Sequence, residues 1–246
     1  MATIVLKPLR KRTDDYFFAG MSLLVLVTVF LGFARSYYLA GAFHARLPSA
    51  IVHIHGAVFS AWILLLVTQT TLVSIGRVSW HKRLGILGAV LACLMVVLGV
   101  LAAIDSSRRR FTPPGLNSPT ILAFEATELS VFAFLVAWGL RVRRDGAAHK
   151  RFMLLATIAI LGPAVNRCPF AFIHQFPPST GLVIDALLIC VIVFDLLTRR
   201  KIHRATVWGS LSILVMQPTM FALGHSAFWH RFTEWVQHRW LGISVV

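Results

Sequence analysis

Long apolar stretches, separated by short basic segments, dominate the sequence. The hydrocarbon core of a bilayer is about 30 Å thick, and about 20 apolar residues cross it as a helix. Stretches of this kind recur along the chain, at residues 17–34, 51–75, 84–104, 120–140, 152–173, 181–198 and 205–224. The pattern predicts an all-α fold, a polytopic membrane bundle of seven transmembrane helices.

The composition agrees with a membrane protein and excludes two other classes. Of the 246 residues, 57% are apolar and 13% are charged, and the mean hydropathy is +0.76. A soluble globular domain has roughly 45–50% apolar and about 25% charged residues, and a disordered chain lacks this much apolar surface. We therefore expect a single transmembrane domain: a basic cytoplasmic N-terminus at 1–16, the bundle at 17–224 and an outer, interfacial amphipathic tail at 225–246.

The positions of the basic residues predict the orientation of the protein in the membrane and argue against nucleic acid as a partner. The net charge of +15 would by itself suggest nucleic-acid binding. If the N-terminus is cytoplasmic, however, sixteen of the 24 basic residues fall in inner segments. Lys and Arg favour cytoplasmic loops, so we expect an N-inside, C-outside protein of a bacterial inner membrane. We also expect the basic residues to interact with membrane lipids, through their anionic headgroups. The exception is an outer triplet, Arg108, Arg109 and Arg110.

A short motif repeats at three predicted inner turns. His81 and His149 are each followed by Lys-Arg, and His203 is followed by Arg. Each motif begins an outward-going span, which divides the bundle into one leading helix and three helical hairpins. Two interpretations are open: the histidines anchor helix starts beside lipid phosphates, or they form a ligand set or an anion site at helix N-termini. Because a helix N-terminus favours a neutral imidazole, His81 and His149 are candidate ligands of haem iron or a metal.

A second group of polar residues lies within the outer half of the predicted bundle. Ionisable side chains inside spans are costly and mark function by default. The group comprises His53, His55, Glu125, Glu128, Arg167 and Asp185, with His174 near the outer surface. Three carboxylates face one arginine, an imbalance that requires a metal, a proton, an imidazolium or an aqueous cavity. The alternatives are a metal or haem site, a substrate or proton path, and a structural network built on an Arg167 ion pair.

Residue spacing ranks the candidates within this outer group. Glu125 and Glu128 are three residues apart and share one helix face, so both can reach one site. His53 and His55 point roughly 200° apart on a regular helix. His55, the deeper of the two, is therefore the better ligand.

Two further features follow from local sequence. Gly162-Pro163 should kink the fifth span, because proline breaks the helical hydrogen-bond ladder. Asp195 and Arg199 have the spacing of an ordinary ion pair within one helix.

Two stretches of the sequence resemble known membrane families. The first reads His53-Ile54-His55-Gly56, followed by Trp62, Gln69, Gly76-Arg77 and His81-Lys82-Arg83-Leu84-Gly85. The second reads His149-Lys150-Arg151-Phe152-Met153, followed by Pro163 and Arg167. Over residues 50–170 the chain resembles uncharacterised bacterial multi-pass membrane proteins and is distantly similar to cytochrome-b561-like and haem-A-synthase-like bundles. In those bundles histidines at helix ends hold b-type haem, so the resemblance implies a haem b cofactor.

The leading hypothesis is a redox protein with its cofactor in the outer half of the bundle. A haem b or a transition metal (iron, copper or zinc) would be held by His55 or His53 and by His174. Glu125 and Glu128 would be carboxylate ligands or proton carriers, and Asp185 a further metal ligand. Electrons would pass to a quinone or to another membrane protein subunit.

Two other classes stay open at this stage. A metal-dependent intramembrane hydrolase would use bound zinc to activate water, with a spare glutamate as general base. A non-catalytic accessory or assembly subunit of a larger membrane complex would need neither metal nor substrate. The sequence leaves open whether the protein is an enzyme.

Overall fold

The computed structural model describes residues 9–45, 49–108, 117–176 and 178–241, and these residues form helices joined by short turns. A π-helical segment, Ala34–Tyr38, follows the first helix. The α-helices are α1 Leu9–Phe33, α2 Ala50–Ser74, α3 Val78–Arg108, α4 Ser118–Arg141, α5 Gly146–Ala159, α6 Gly162–Asn166, α7 Ala171–Gln175, α8 Ser179–Arg199, α9 Arg204–Gly224 and α10 Ala227–Leu241. The all-α bundle is therefore confirmed.

The structure does not describe the side chains of several basic residues that were used to predict the topology. They are Lys7, Arg10, Lys11, Arg12, Arg46, Arg108, Arg109, Arg110 and Arg239.

Six helices in the described residues are long and apolar enough to cross a membrane, as expected for a multi-pass membrane protein. They cover Thr13–Tyr38, Ala50–Ser74, Val78–Ser106, Ser118–Arg141, Ser179–Arg199 and Arg204–Gly224. The fifth predicted span, 152–173, is instead divided among the end of α5, all of α6 and the start of α7. A seventh crossing and the orientation stay predictions.

The break in that span falls at the predicted kink. α5 ends at Ala159 and α6 begins at Gly162, with Pro163 in its first turn. A proline is tolerated there because the first N–H groups of a helix have no intrahelical partner. The helix is therefore interrupted where the sequence predicted a kink, at Gly162-Pro163.

The short helix α5 lies at the centre of the bundle. Its residues from Arg151 to Ala159 are all buried except Met153, and it packs against α4, α9, α1 and α8. Thr157 accepts a hydrogen bond from the indole N–H of Trp62, at 3.1 Å. The long helices, by contrast, present large apolar side chains outward; Leu197 is 79% exposed and Ile86 73%. A buried centre with an apolar exterior suits a lipid environment.

Short turns gather at one end of the bundle, which we call the basic end. They join α2 to α3 (75–77), α4 to α5 (142–145) and α8 to α9 (200–203). Asp14 of α1 contacts Lys150 and Arg199 there, which brings the start of α1 to the same end. The three turns that carry the histidine motifs therefore share one end.

The helix α10 lies at the opposite end. The indole N–H of Trp229 donates to the carbonyl of Pro119, at 2.7 Å, and so fixes α10 against α4. Phe228, Phe232 and Trp235 stack along one exposed face. An aromatic, amphipathic face of this kind is what an interfacial helix requires, and the interfacial tail stays a prediction.

Candidate functional site

The histidine pair

Two of the repeated histidines face each other at the basic end. His81 lies in the first turn of α3 and His149 in the first turn of α5. Their ring centroids are 6.2 Å apart, and the ring planes cross at 79°. The sequence predicted that both histidines lie at the same end, and the rings come together because α3 and α5 both pack against α4.

The His149 ring is held in one orientation by the preceding helix. Its Nδ1 lies 2.9 Å from the carbonyl oxygen of Gly139 in α4. A carbonyl only accepts, so Nδ1–H is the donor and Nε2 of the neutral ring keeps a free lone pair. Histidines that bind metals commonly donate their second ring nitrogen to a carbonyl in this way.

The His81 ring has a matching arrangement. It interacts with the backbone of Gln69 in α2. Its Nδ1 is buried and has no hydrogen-bond partner among the described residues. A buried ring nitrogen without a partner is costly. Each ring of the pair therefore has a nitrogen available to a ligand.

The outer candidates

His55 repeats the same pattern at the other end of the α2–α3 hairpin. Its ring interacts with the backbone of Leu98 in α3, and its Nδ1 is also buried without a partner among the described residues. The ring packs on Phe59, with centroids 4.1 Å apart. Along α2, the rise from His55 to Gln69, which adjoins His81, is about 21 Å. The two histidines thus occupy opposite halves of the bundle.

Glu125 and Glu128 of α4 lie in electrostatic range of Arg167. Glu128 Oε1 approaches Gly162 so closely that a Cβ there would lie 2.5 Å from it. Glu125 Oε2 is buried and has no hydrogen-bond partner in the described part of the chain. Arg167 itself donates to the carbonyl of Pro163, at 2.8 Å. The kink at Gly162 therefore brings one cation towards two carboxylates.

The remaining outer candidates have separate partners. Asp185 accepts a hydrogen bond from the Gln217 side chain, at 2.8 Å. His53 is exposed and packs against Tyr37, and His174 is exposed, with Nε2 3.1 Å from the Cys168 carbonyl. In the described ranges, no three His, Cys, Asp or Glu side chains are grouped to hold a metal. The predicted outer ligand set is thus dispersed over several contacts.

The ion network beside the pair

A buried ion network, which sequence reasoning missed, lies beside the histidine pair. Arg151 of α5 pairs with Asp195 of α8, and both side chains are 0% exposed. Asp195 also accepts hydrogen bonds from the Thr206 hydroxyl, at 2.5 Å, and from the His203 N–H, at 3.0 Å. Arg199, the partner predicted from spacing, is 3.9 Å away. Asp195 therefore joins three helices, and the helix pair with Arg199 is its secondary contact.

Lys150 and His203 extend this network at the surface of the basic end. Burial lowers the pKa of Lys150, while its 2.8 Å hydrogen bond to Asp14 opposes that shift. Burial, followed by the positive charges of Arg151 and Arg199, lowers the pKa of His203. A neutral His203 is what the fold uses, because its Nδ1 accepts the Ala205 N–H and caps α9.

Comparison of the sequence with protein-family models, with curated proteins and with solved structures gave no match.

Proposed function

We propose that the protein is a membrane redox protein that holds a haem iron or a copper or iron ion between His81 and His149. The observation that carries this proposal is the pair of facing rings, 6.2 Å apart, with a free nitrogen on each. A metal–imidazole bond is about 2.0 Å long, so one ion could be held by both rings only if the rings lie close together. The spacing of the ring centroids fits that arrangement.

The residues around the pair suit a fixed ligand set. The Gly139 carbonyl and the Gln69 backbone orient the two rings, and oriented imidazoles bind metals more tightly. Imidazole suits iron, copper and zinc alike, but zinc has no redox chemistry. A bound haem, iron or copper ion would supply one-electron transfer.

His55 is the remaining candidate ligand for a second group in the other half of the bundle. It has the same unpartnered Nδ1 as His81 and lies about 21 Å further along the α2–α3 hairpin. Glu125 and Glu128 would handle protons there, because two carboxylates facing one guanidinium retain excess negative charge unless one takes up a proton. An electron that reaches a group in an apolar layer adds negative charge there, and uptake of a proton by a nearby carboxylate would neutralise that charge.

The proposed setting is a bacterial inner membrane. The chain would cross it seven times with the basic end inside, since basic loops favour the cytoplasm. The α5–α7 segment would form the fifth, interrupted crossing. Electrons would be exchanged with a quinone or with another membrane protein subunit.

The test is an absorption spectrum of the detergent-purified protein, oxidised and dithionite-reduced, with metal analysis of the same sample. We expect stoichiometric iron or copper, with a sharp reduced α-band if the group is haem. His81→Ala and His149→Ala should each lose the cofactor. His55→Ala should lower the ratio of cofactor to protein.

His225→Ala is the matched control. His225 is exposed at the other end, and its Nδ1 also lies 2.8 Å from a backbone carbonyl, that of Phe221. The cofactor content of His225→Ala should equal that of the wild type. Full cofactor retention in both His81→Ala and His149→Ala would overturn the assignment, as would purified protein with neither colour nor metal.

A further inference from the structure

We propose that the turn between α4 and α5 binds an anionic phosphate group. A cavity of about 250 Å³ lies at this turn and is lined by Arg141, Arg143 and Arg144. All three side chains are exposed at the basic end. The proposal does not depend on a metal at the histidine pair.

The three guanidinium groups have no ion-pair partner in the described part of the chain. None has a carboxylate within 4.0 Å among the residues that the structure describes. The nearest acid along the chain, Asp145, is engaged elsewhere, because it accepts the N–H groups of Ala147 and Ala148 and caps α5. Three positive charges therefore converge on one cavity.

Three other basic side chains at this end have intramolecular partners. Lys150 and Arg199 both bind Asp14. Arg83 lies over the ring of Trp80, 5.6 Å from its centroid. In the cavity, by contrast, one side-chain hydrogen bond to the described residues is present, from Arg143 to the carbonyl of Leu140, at 3.4 Å. The guanidinium N–H donors of Arg141, Arg143 and Arg144, which we call the arginine turn, therefore remain available to a ligand.

Arginine in threes points to phosphate chemistry. The guanidinium group presents a planar fork of donors that matches phosphate oxygens in a bidentate manner. Because a water molecule takes about 30 Å³ of liquid volume, the cavity has room for a phosphate and part of its ester group. A turn at the end of a membrane-spanning helix can meet this group on an anionic phospholipid or on a free phosphate compound.

The experiment compares Arg143→Gln/Arg144→Gln with a charge-matched control, Arg77→Gln/Lys82→Gln, at the α2–α3 turn of the same end. Arg77 and Lys82 are exposed and line no part of this cavity. Binding of inorganic pyrophosphate is measured by calorimetry in a neutral detergent. Retention of phosphatidylglycerol or cardiolipin is measured by native mass spectrometry after exchange from mixed micelles. Circular dichroism and gel filtration check that each variant is folded.

We expect the wild type and the control to bind equally. The arginine-turn variant should bind at least about tenfold more weakly, because it loses several charge-assisted hydrogen bonds. Binding of pyrophosphate without lipid selectivity identifies a free phosphate compound as the ligand. Selective lipid retention identifies a headgroup. Equal loss in the control, or no binding of either probe by folded wild type, would overturn the proposal.

Discussion

The guanidinium of Arg151 and the carboxylate of Asp195 form an ion pair that is fully buried between α5 and α8. Arg151 Nε lies 3.1 and 3.2 Å from the two carboxylate oxygens. The same carboxylate accepts from Thr206 in the first turn of α9. One aspartate thereby ties the central helix to two of the long helices that surround it.

Removal of one member of this pair should strongly destabilise the protein. A buried charge left without its partner costs about 3–5 kcal/mol. We expect this loss for Arg151→Met and for Asp195→Leu, measured by denaturant unfolding in detergent. The double variant should lose much less than the sum of the two, because neither charge then remains.

Arg199→Met provides the comparison for this prediction. Arg199 is 3.9 Å from Asp195 and partly exposed, so its pairing contributes about 1 kcal/mol or less. If Arg199→Met were as destabilising as Arg151→Met, the helix pair predicted from spacing would be the dominant contact. Additive losses in the double variant would likewise contradict the role given to the Arg151–Asp195 pair.

This ion pair also illustrates what the sequence could and could not predict. Apolar length and basic turns specify which residues lie near one end of a bundle. They do not specify which helices are neighbours. Arg151 and Asp195 are 44 residues apart, and only the packing of α5 against α8 brings them together. Local spacing therefore identified Arg199, the nearest base along the helix, as the partner.

The candidate site shows the same division. The repeated His-Lys-Arg motif correctly placed His81 and His149 at one end, but their 6.2 Å approach depends on how α3 and α5 each pack against α4. In the outer half, depth alone grouped Asp185 with Glu125, whereas Asp185 bonds to Gln217. Depth along a helix is a one-dimensional quantity, and a binding site also requires the rotation of each helix about its axis.

The N-cap of α9 should make stability depend on pH. The lowered pKa of His203 means that protons bind more tightly to the unfolded chain. The contribution of neutral His203 to the free energy of unfolding is therefore complete above the ordinary histidine pKa of about 6.5. This contribution is lost as the pH falls below about 6.5 towards the lower pKa that His203 has in the folded protein. We expect a fall in the midpoint of thermal unfolding between about pH 7.5 and about pH 5.5.

His203→Asn should flatten this profile. Asparagine keeps an oxygen acceptor at the N-cap but does not titrate. His225→Asn, which leaves His203 in place, should follow the wild-type profile. A wild-type pH dependence that survives in His203→Asn would assign the effect to another group.

The balance of charge around Arg167 predicts opposite effects for two neutralising substitutions. Arg167→Gln leaves Glu125 and Glu128 without their cation, so we expect a loss of about 1 kcal/mol or more in unfolding free energy at neutral pH. Glu125→Gln removes excess negative charge and should be neutral or stabilising. Both are measured by denaturant unfolding in detergent.

The double variant Glu125→Gln/Arg167→Gln should recover part of the loss. Recovery is expected because one carboxylate, rather than two, then remains in the apolar layer. If Arg167→Gln were harmless while Glu125→Gln destabilised the protein, Glu125 would be held by a contact other than the arginine.

The close approach of Glu128 to Gly162 makes the latter position intolerant of a side chain. A Cβ at residue 162 would lie 2.5 Å from Glu128 Oε1, well inside contact distance. Gly162→Ala should therefore cost about 1–3 kcal/mol, the usual penalty of overpacking. At Gly20 no atom lies within 4 Å of the corresponding position, so Gly20→Ala should stabilise α1 by up to about 1 kcal/mol.

Gly162→Ala/Glu128→Ala should be less destabilised than the separate losses predict, because the carboxylate that collides is gone. Equal effects at the two glycines, or strict additivity with Glu128→Ala, would show that the carboxylate does not occupy this position beside the kink.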